Sequence, residues 1–184
     1  PSYINKFRPP WVNFLPNQPF FMPEMITTQQ IVDTPLGWLV LQGDREHLFR
    51  SNWVDEQDLT VGHGTQPAHW KILAAQQIGE YFNGKRSSFS LPIKPIGTNF
   101  QQLIWDKILH IPFGNTLDVK ELAGIDQVTA SMMAVAANPM ALIIPCHRIA
   151  LDASDGQSIA SSNKIKDKLL LHEGANHAQQ LRLF

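Results

Sequence analysis

The chain is short of cysteine, of long apolar runs and of net charge, and each shortage excludes something. With one cysteine it can hold neither an internal disulfide framework nor a multi-cysteine metal site. A lone thiol also fits a reducing, intracellular setting. No apolar run reaches the length of a membrane span, so no membrane partner is expected. The opening, "PSYINKFRPPWVNFLPNQPFFMPEM", lacks a basic stretch followed by an apolar core and is not read as a signal peptide. A formal net charge of −1 carries no global sign of nucleic-acid binding, so any contact with DNA must come from a local surface.

What is present describes a globular protein. Its 184 residues, 43% of them hydrophobic, are enough to bury a core as one large domain or two small ones. Residues 1–28 are rich in proline and aromatics and are expected to form an extended arm. "QQIVDTPLGWLVLQGDREHLFRSNW" reads as three strands, with turns at Pro35 to Gly37 and at Gly43-Asp44. "QPAHWKILAAQQIGEYFNGK" then places Trp70, Leu73, Ala74, Ile78 and Tyr81 on one helical face, and Asn83-Gly84 ends it. The expected N-terminal unit is an α/β domain with a small antiparallel sheet over 29–90. "KRSSFSLPIKPIG" (85–97) is the linker to a mostly α C-terminal domain over 91–184.

That second domain opens with a capping box, Thr98 and Gln101, before Phe100, Leu103, Ile104, Ile108 and Ile111 at helical spacing. "TLDVKELAGIDQVTASMMAVAANP" reads as two short helices around a turn at Gly124 to Asp126, with Asp118 and Glu121 capping the first. That is a helix-turn-helix pattern. Its second helix, about 128–137, is rich in small residues. These suit tight helix packing or a close approach to another surface, and composition favours packing. "NKIKDKLLLHEGA" supplies the last helix, where alternating Lys164, Lys166 and Lys168 read as a solvated face. His63 and His69 stand six apart, a spacing that fits neither a helical nor a strand pairing of metal ligands.

The lone thiol lies in "ALIIPCHRIA". A lone cysteine is most often a small buried hydrophobe. Here an apolar run, residues 141–144, approaches it as a buried active-site strand would, and Pro145 stops regular pairing. His147 and Arg148 follow, and histidine is the usual base for a thiol. A carboxylate would be needed to orient the imidazole.

These segments resemble the O6-alkylguanine-DNA alkyltransferases, also called methylated-DNA–protein-cysteine methyltransferases. The likeness runs from about residue 30 to 175. It is carried by "VDTPLGWLVL", "YFNGKRSSFSLPIKPIGT", "GTNFQQLIWDKILHIPFGNT", "KELA", "AVAANPMALIIPCHRI" and "KLLLHEG". The resemblance implies single-turnover DNA repair on double-stranded DNA. The helix-turn-helix enters the minor groove, the damaged guanine is flipped out, and the cysteine takes the alkyl group from O6. By position, Cys146 is the acceptor and His147 a water-mediated base. Glu173 orients His147, and Asn138 braces the turn between recognition helix and active site. Arg148 is a structural or electrostatic support and is counted with the substrate-binding positions. No cofactor is implied, and no zinc is expected, because Cys146 is the single cysteine. A monomer is expected, cytoplasmic in a bacterium or nuclear in a eukaryote.

The departures from the family pattern concern DNA. The arginine that fills the stack is replaced by Thr129, with Ala130 beside it. The tyrosine that presses on a phosphate is replaced by Val119. The loop that closes over the guanine, usually Tyr-Ser-Gly-Gly, becomes Ile159, Ala160, Ser161 and Ser162. Between Thr98 and Arg148 three basic residues (Lys107, Lys120, Arg148) face four acidic ones (Asp106, Asp118, Glu121, Asp126), so weak DNA binding is expected. A lesion-binding or regulatory relative with slow or no transfer is the alternative. An unrelated cysteine hydrolase is disfavoured by the matching flanks.

Overall fold

A computed structural model describes residues 28–59, 67–150 and 163–175. Three strands, β1 (Thr28–Thr34), β2 (Gly37–Gly43) and β3 (Leu48–Val54), form an antiparallel meander in that order. Trp38 to Leu41 of β2 are all apolar, and the strand's period of two turns Leu39 and Leu41 fully inward while Trp38 and Val40 stay half-buried. Thr34 makes the first turn, its hydroxyl donating to Gly37 O and accepting from Leu36 N. At the second turn, Asp44 accepts from the backbone N–H groups of Glu46 and His47, both at 2.7 Å.

Helix α1 (His69–Phe82) lies on this sheet. Trp70, Ala74, Ile78 and Tyr81 are buried at spacings of four, four and three, which is one helical face. Leu73, expected on that face, is only half-buried, while Gln77 is buried. The burial of Gln77 is matched by two hydrogen bonds to the backbone of Ser90, which fix the linker. The linker also pairs with β3, through Leu48 N to Pro92 O and Lys94 N to Leu48 O, both 2.9 Å. Further along β3, Ser51 N donates to Pro139 O and Ala141 N donates to Ser51 O. The edge of β3 is therefore the joint on which the approach to Cys146 is hung.

Helix α2 (Asn99–Leu109) begins with the expected capping box of Thr98 and Gln101. Ile104, Trp105 and Ile108 face inward. Leu103 was expected beside them but is 54% exposed, because its position on the helix turns it away from that stripe. Trp105 donates its indole N–H to Ala134 O at 2.8 Å and so ties α2 to a later helix.

Strand β4 (Leu117–Asp118) leads into α3 (Val119–Ala123), a turn, and α4 (Val128–Ala136), the helix-turn-helix. Asp118 caps α3 by accepting from Lys120 N. Gly124 ends α3 at φ 84°, a left-handed conformation that a Cβ would strain. β4 pairs in parallel with β5 (Ile149–Ala150), and α5 (Asn163–His172) closes the described chain. One continuous apolar core runs from Leu39 and Leu41 in the sheet, through Ile104 and Ile144, to Leu169 on α5. Among the described residues no helix is long and apolar enough to cross a membrane. Of the expected N-terminal arm, residues 1–27 lie outside them and Thr28 belongs to β1.

Candidate active site around Cys146

The approach to Cys146 is a turn and not the expected strand. Residues 141–144 coil, with Ile143 N bonded to Ala141 O and Ile144 N to Met140 O, and Leu142 sits at φ 70°. The run is apolar because Leu142, Ile143 and Ile144 all plug the core, a burial that a turn satisfies as well as a strand. Strand β5 begins only after the site. Asn138 holds the coil closed: its side chain accepts from Met140 N at 2.9 Å and donates to Ile144 O at 3.0 Å.

Cys146 opens a short 3-10 turn that carries His147 and Arg148. The residue is partly exposed. Burial pushes its thiol up to about 12, against smaller downward pulls from an Asn138 hydrogen bond and the charge of Lys166. The resting group is therefore a neutral thiol, which needs a base before it can attack.

That base is prepared by a buried carboxylate. Glu173 Oε1 accepts from His147 Nε2 at 2.8 Å, from Arg148 Nη2 at 2.9 Å and from Tyr81 OH at 2.7 Å. Its Oε2 accepts from Arg148 Nε at 2.9 Å and Gly114 N at 3.0 Å. Burial alone would raise the carboxyl, but these donors, His147 and Arg148 foremost, hold it well below the usual carboxylate range. An ionised carboxylate only accepts, so His147 Nε2 carries the proton and Nδ1 keeps a lone pair. Burial lowers His147 below its ordinary value, outweighing the upward pull of Glu173. A neutral imidazole of fixed tautomer, next in sequence to a neutral thiol, has the chemistry that a general base requires.

The structure thus brings Cys146, His147, Glu173 and Asn138 together. Arg148 joins them but faces no outer surface: it is buried, with Nη1 on Ile111 O at 2.6 Å and the rest of its fork on Glu173. Its expected contact with substrate gives way to a structural role, since a buried guanidinium needs its full set of acceptors. Val119 is likewise corrected. It is 1% exposed, part of the core at the start of α3, because its short aliphatic side chain packs inward. Thr129 and Ala130 are exposed on the first turn of α4. Ile159, Ala160, Ser161 and Ser162, like His63, lie outside the described residues. His69 begins α1, and no group of three metal-binding side chains occurs among the described residues.

Three contributors escape the sequence. Gly114 sits at φ 77° with its N–H on Glu173, and a Cβ there would press on the Glu173 backbone oxygen at 2.9 Å. Lys166 is not a solvated lysine: its ammonium donates to Ile149 O at 2.8 Å, and its charge acts on the Cys146 thiol. Tyr81 brings a hydroxyl from α1. A tyrosine on an apolar helical face signals that a partner is needed, but not which one.

Residues 99–175 match the family described as "6-O-methylguanine DNA methyltransferase, DNA binding domain". A methylated-DNA–protein-cysteine methyltransferase of Methanosarcina barkeri is 35% identical over 159 residues, 79% of this chain and 96% of that protein. The chain belongs to the methylated-DNA–protein-cysteine methyltransferase family. A methyltransferase of this name from Mycobacterium leprae is 33% identical over 153 residues, 79% of this chain and 90% of its own. The O6-methylguanine methyltransferase of Mycobacterium tuberculosis superposes with a TM-score of 0.69 at 28% identity, over 80% of this chain and 93% of its own. Its structure in complex with DNA gives 0.68 over the same shares. The small antiparallel sheet followed by helices is the methyltransferase fold, as the sequence resemblance implied. Membership favours alkyl transfer over a cysteine hydrolase or a relative that binds without transfer.

Proposed function

We propose that this protein repairs DNA by moving the alkyl group of O6-alkylguanine to Cys146 Sγ, once per molecule. The observation that carries the reading is a single 3-10 turn that holds Cys146 beside His147, with His147 Nε2 fixed on Glu173 Oε1 at 2.8 Å. His147 takes the thiol proton through a water molecule. The sulfur attacks the alkyl carbon in line, the S–C bond forms and the C–O6 bond breaks. The electron pair goes to guanine, and the proton held by His147 neutralises it. The products are S-alkylcysteine and guanine, and no cofactor enters the balance.

DNA is the partner, met in the minor groove by the exposed face of α4, and the protein acts as a monomer. Thr129 and Ala130 lie on that face, where small and hydroxylated side chains let the helix approach closely. The lesion must be flipped out to reach the thiol.

Incubation with a duplex carrying O6-methylguanine is expected to add one methyl mass to the Cys146 peptide, saturating at one per chain. Cys146→Ala is expected to gain nothing. A folded protein that takes no methyl from DNA, and no benzyl group from free O6-benzylguanine, would overturn the proposal. Transfer from the free base alone would place the defect in DNA docking rather than in the thiol.

A further inference from the structure

Tyr81 stands outside the segment that matches the family's DNA-binding domain, yet it reaches the centre of the buried cluster. Its hydroxyl donates to Glu173 Oε1 at 2.7 Å, the same oxygen that accepts from His147 Nε2. Its carbonyl accepts from His172 Nε2 at 2.9 Å, and the two rings lie 5.0 Å apart. One residue of α1 therefore grips both residues at the end of α5. Its ring is fully buried among Phe82, Phe89 and Phe113, which fixes where the hydroxyl points.

A buried phenol needs an acceptor, and any backbone carbonyl would serve. This one uses the carboxylate oxygen that holds the base. That oxygen takes three donors, from Tyr81, His147 and Arg148, so each competes for its electron density. We infer that Tyr81 is a positioning residue whose hydroxyl sets the direction and the acceptor strength of Glu173 toward His147. The N-terminal sheet-and-helix unit thereby helps to set the base of the alkyl-transfer site. The inference rests on the proposed function for its kinetic consequence but not for its titration.

The charged groups facing His147 are Glu173, Arg148 and Lys166, with Cys146 beside it. From α1 the contributor to the cluster is Tyr81. When the phenol is removed, Glu173 Oε1 binds His147 more strongly and stabilises the imidazolium. His147 should then hold its proton to higher pH.

The test is Tyr81→Phe, which keeps the ring and loses only the hydroxyl. NMR titration of the His147 imidazole is expected to show its midpoint raised by about half a unit or more. The acid limb of the pH–rate profile for transfer from free O6-benzylguanine is expected to move the same way, so the loss of rate is larger at pH 6 than at pH 8. In a His147→Gln background, Tyr81→Phe is expected to change the rate no further. Unmoved titration and an unmoved acid limb, with only a lower melting temperature, would overturn the inference and leave Tyr81 a packing residue. If the unmodified protein transfers nothing from either methylated DNA or the free base, the proposed function fails, and the titration still decides the role of Tyr81.

Discussion

Two parts of the molecule contrast: the buried cluster around Glu173 and the outward face of α4. In the cluster, five donor contacts converge on one carboxylate and every distance is 3.0 Å or less. On α4 the exposed side chains include Thr129, Ala130 and Met133, none of them charged. Of the cations nearby, Arg148 is spent inside the cluster and Lys107 donates to Leu122 O at the end of α3. The chemistry is specified by buried, saturated polar groups. The α4 face proposed to meet DNA carries no charge on these exposed side chains. Damage to the first should cost stability and activity together, whereas changes to the second should alter DNA affinity and leave the fold alone.

The largest effect is expected from Glu173→Gln. The amide loses the charge that balances Arg148, and removing one partner of a buried ion pair costs about 3–5 kcal/mol. His147 also loses its fixed tautomer, so transfer from DNA and from the free base should fall together. Urea unfolding and single-turnover kinetics measure the two losses. Near-native stability would mean that the Glu173–Arg148 pair does not hold the fold together.

Acid attacks the same cluster more gradually. Glu173 in the folded state titrates below its ordinary range, so its stabilisation is full above about pH 4.3 and drains away as pH falls below it. His147 is also lowered by folding. The unfolded chain therefore binds its proton first, and stability declines already from about pH 6.5 downward. The urea midpoint should fall in two stages between pH 7 and 3, with the lower stage shallower in Glu173→Gln. A midpoint flat from pH 7 to 4 would contradict the assigned His147 shift.

The two regions also differ in how far the sequence exposed them. The three strands, marked off by turn residues at Pro35 to Gly37 and Gly43-Asp44, and the capping box at Thr98 were legible because local signals and structure agree there. The apolar run at 141–144 was read as a strand, since apolarity reports burial and not backbone shape. Asn138, whose side chain bonds select the turn, lies outside that run. Tyr81 and Gly114 meet Glu173 across 92 and 59 residues of chain, and no local spacing encodes such contacts. Cys146 and His147 stood out from their own residue types and setting; the family likeness added Glu173, but it misplaced Val119. A position that faces DNA in the family pattern is here filled by a side chain small and apolar enough to join the core.

Val119 and Thr129 let the contrast be sharpened by one manoeuvre, restoring the family residue at each. Val119→Tyr forces a phenol into a site that is 1% exposed. Overpacking of this kind costs about 1–3 kcal/mol, and a lower urea midpoint without a gain in DNA affinity is the expected result. Improved DNA binding at unchanged stability would return position 119 to the docking face.

Thr129→Arg should do the reverse, with the smallest effect on the fold. The side chain is exposed in the first turn of α4, so the arginine meets no packing and only the unfavourable helix dipole, worth about 0.3–1 kcal/mol. If α4 lies against DNA, one added phosphate contact steepens the salt dependence of log affinity by about one unit. The gain should appear as a several-fold tighter complex at low salt that fades as salt rises. Transfer from the free base should not change, because Thr129 is not among the groups that bond the Cys146 to Glu173 cluster. An unaltered salt slope would take α4 off the DNA, and a changed rate with the free base would mean that the docking face and the buried cluster are not separate.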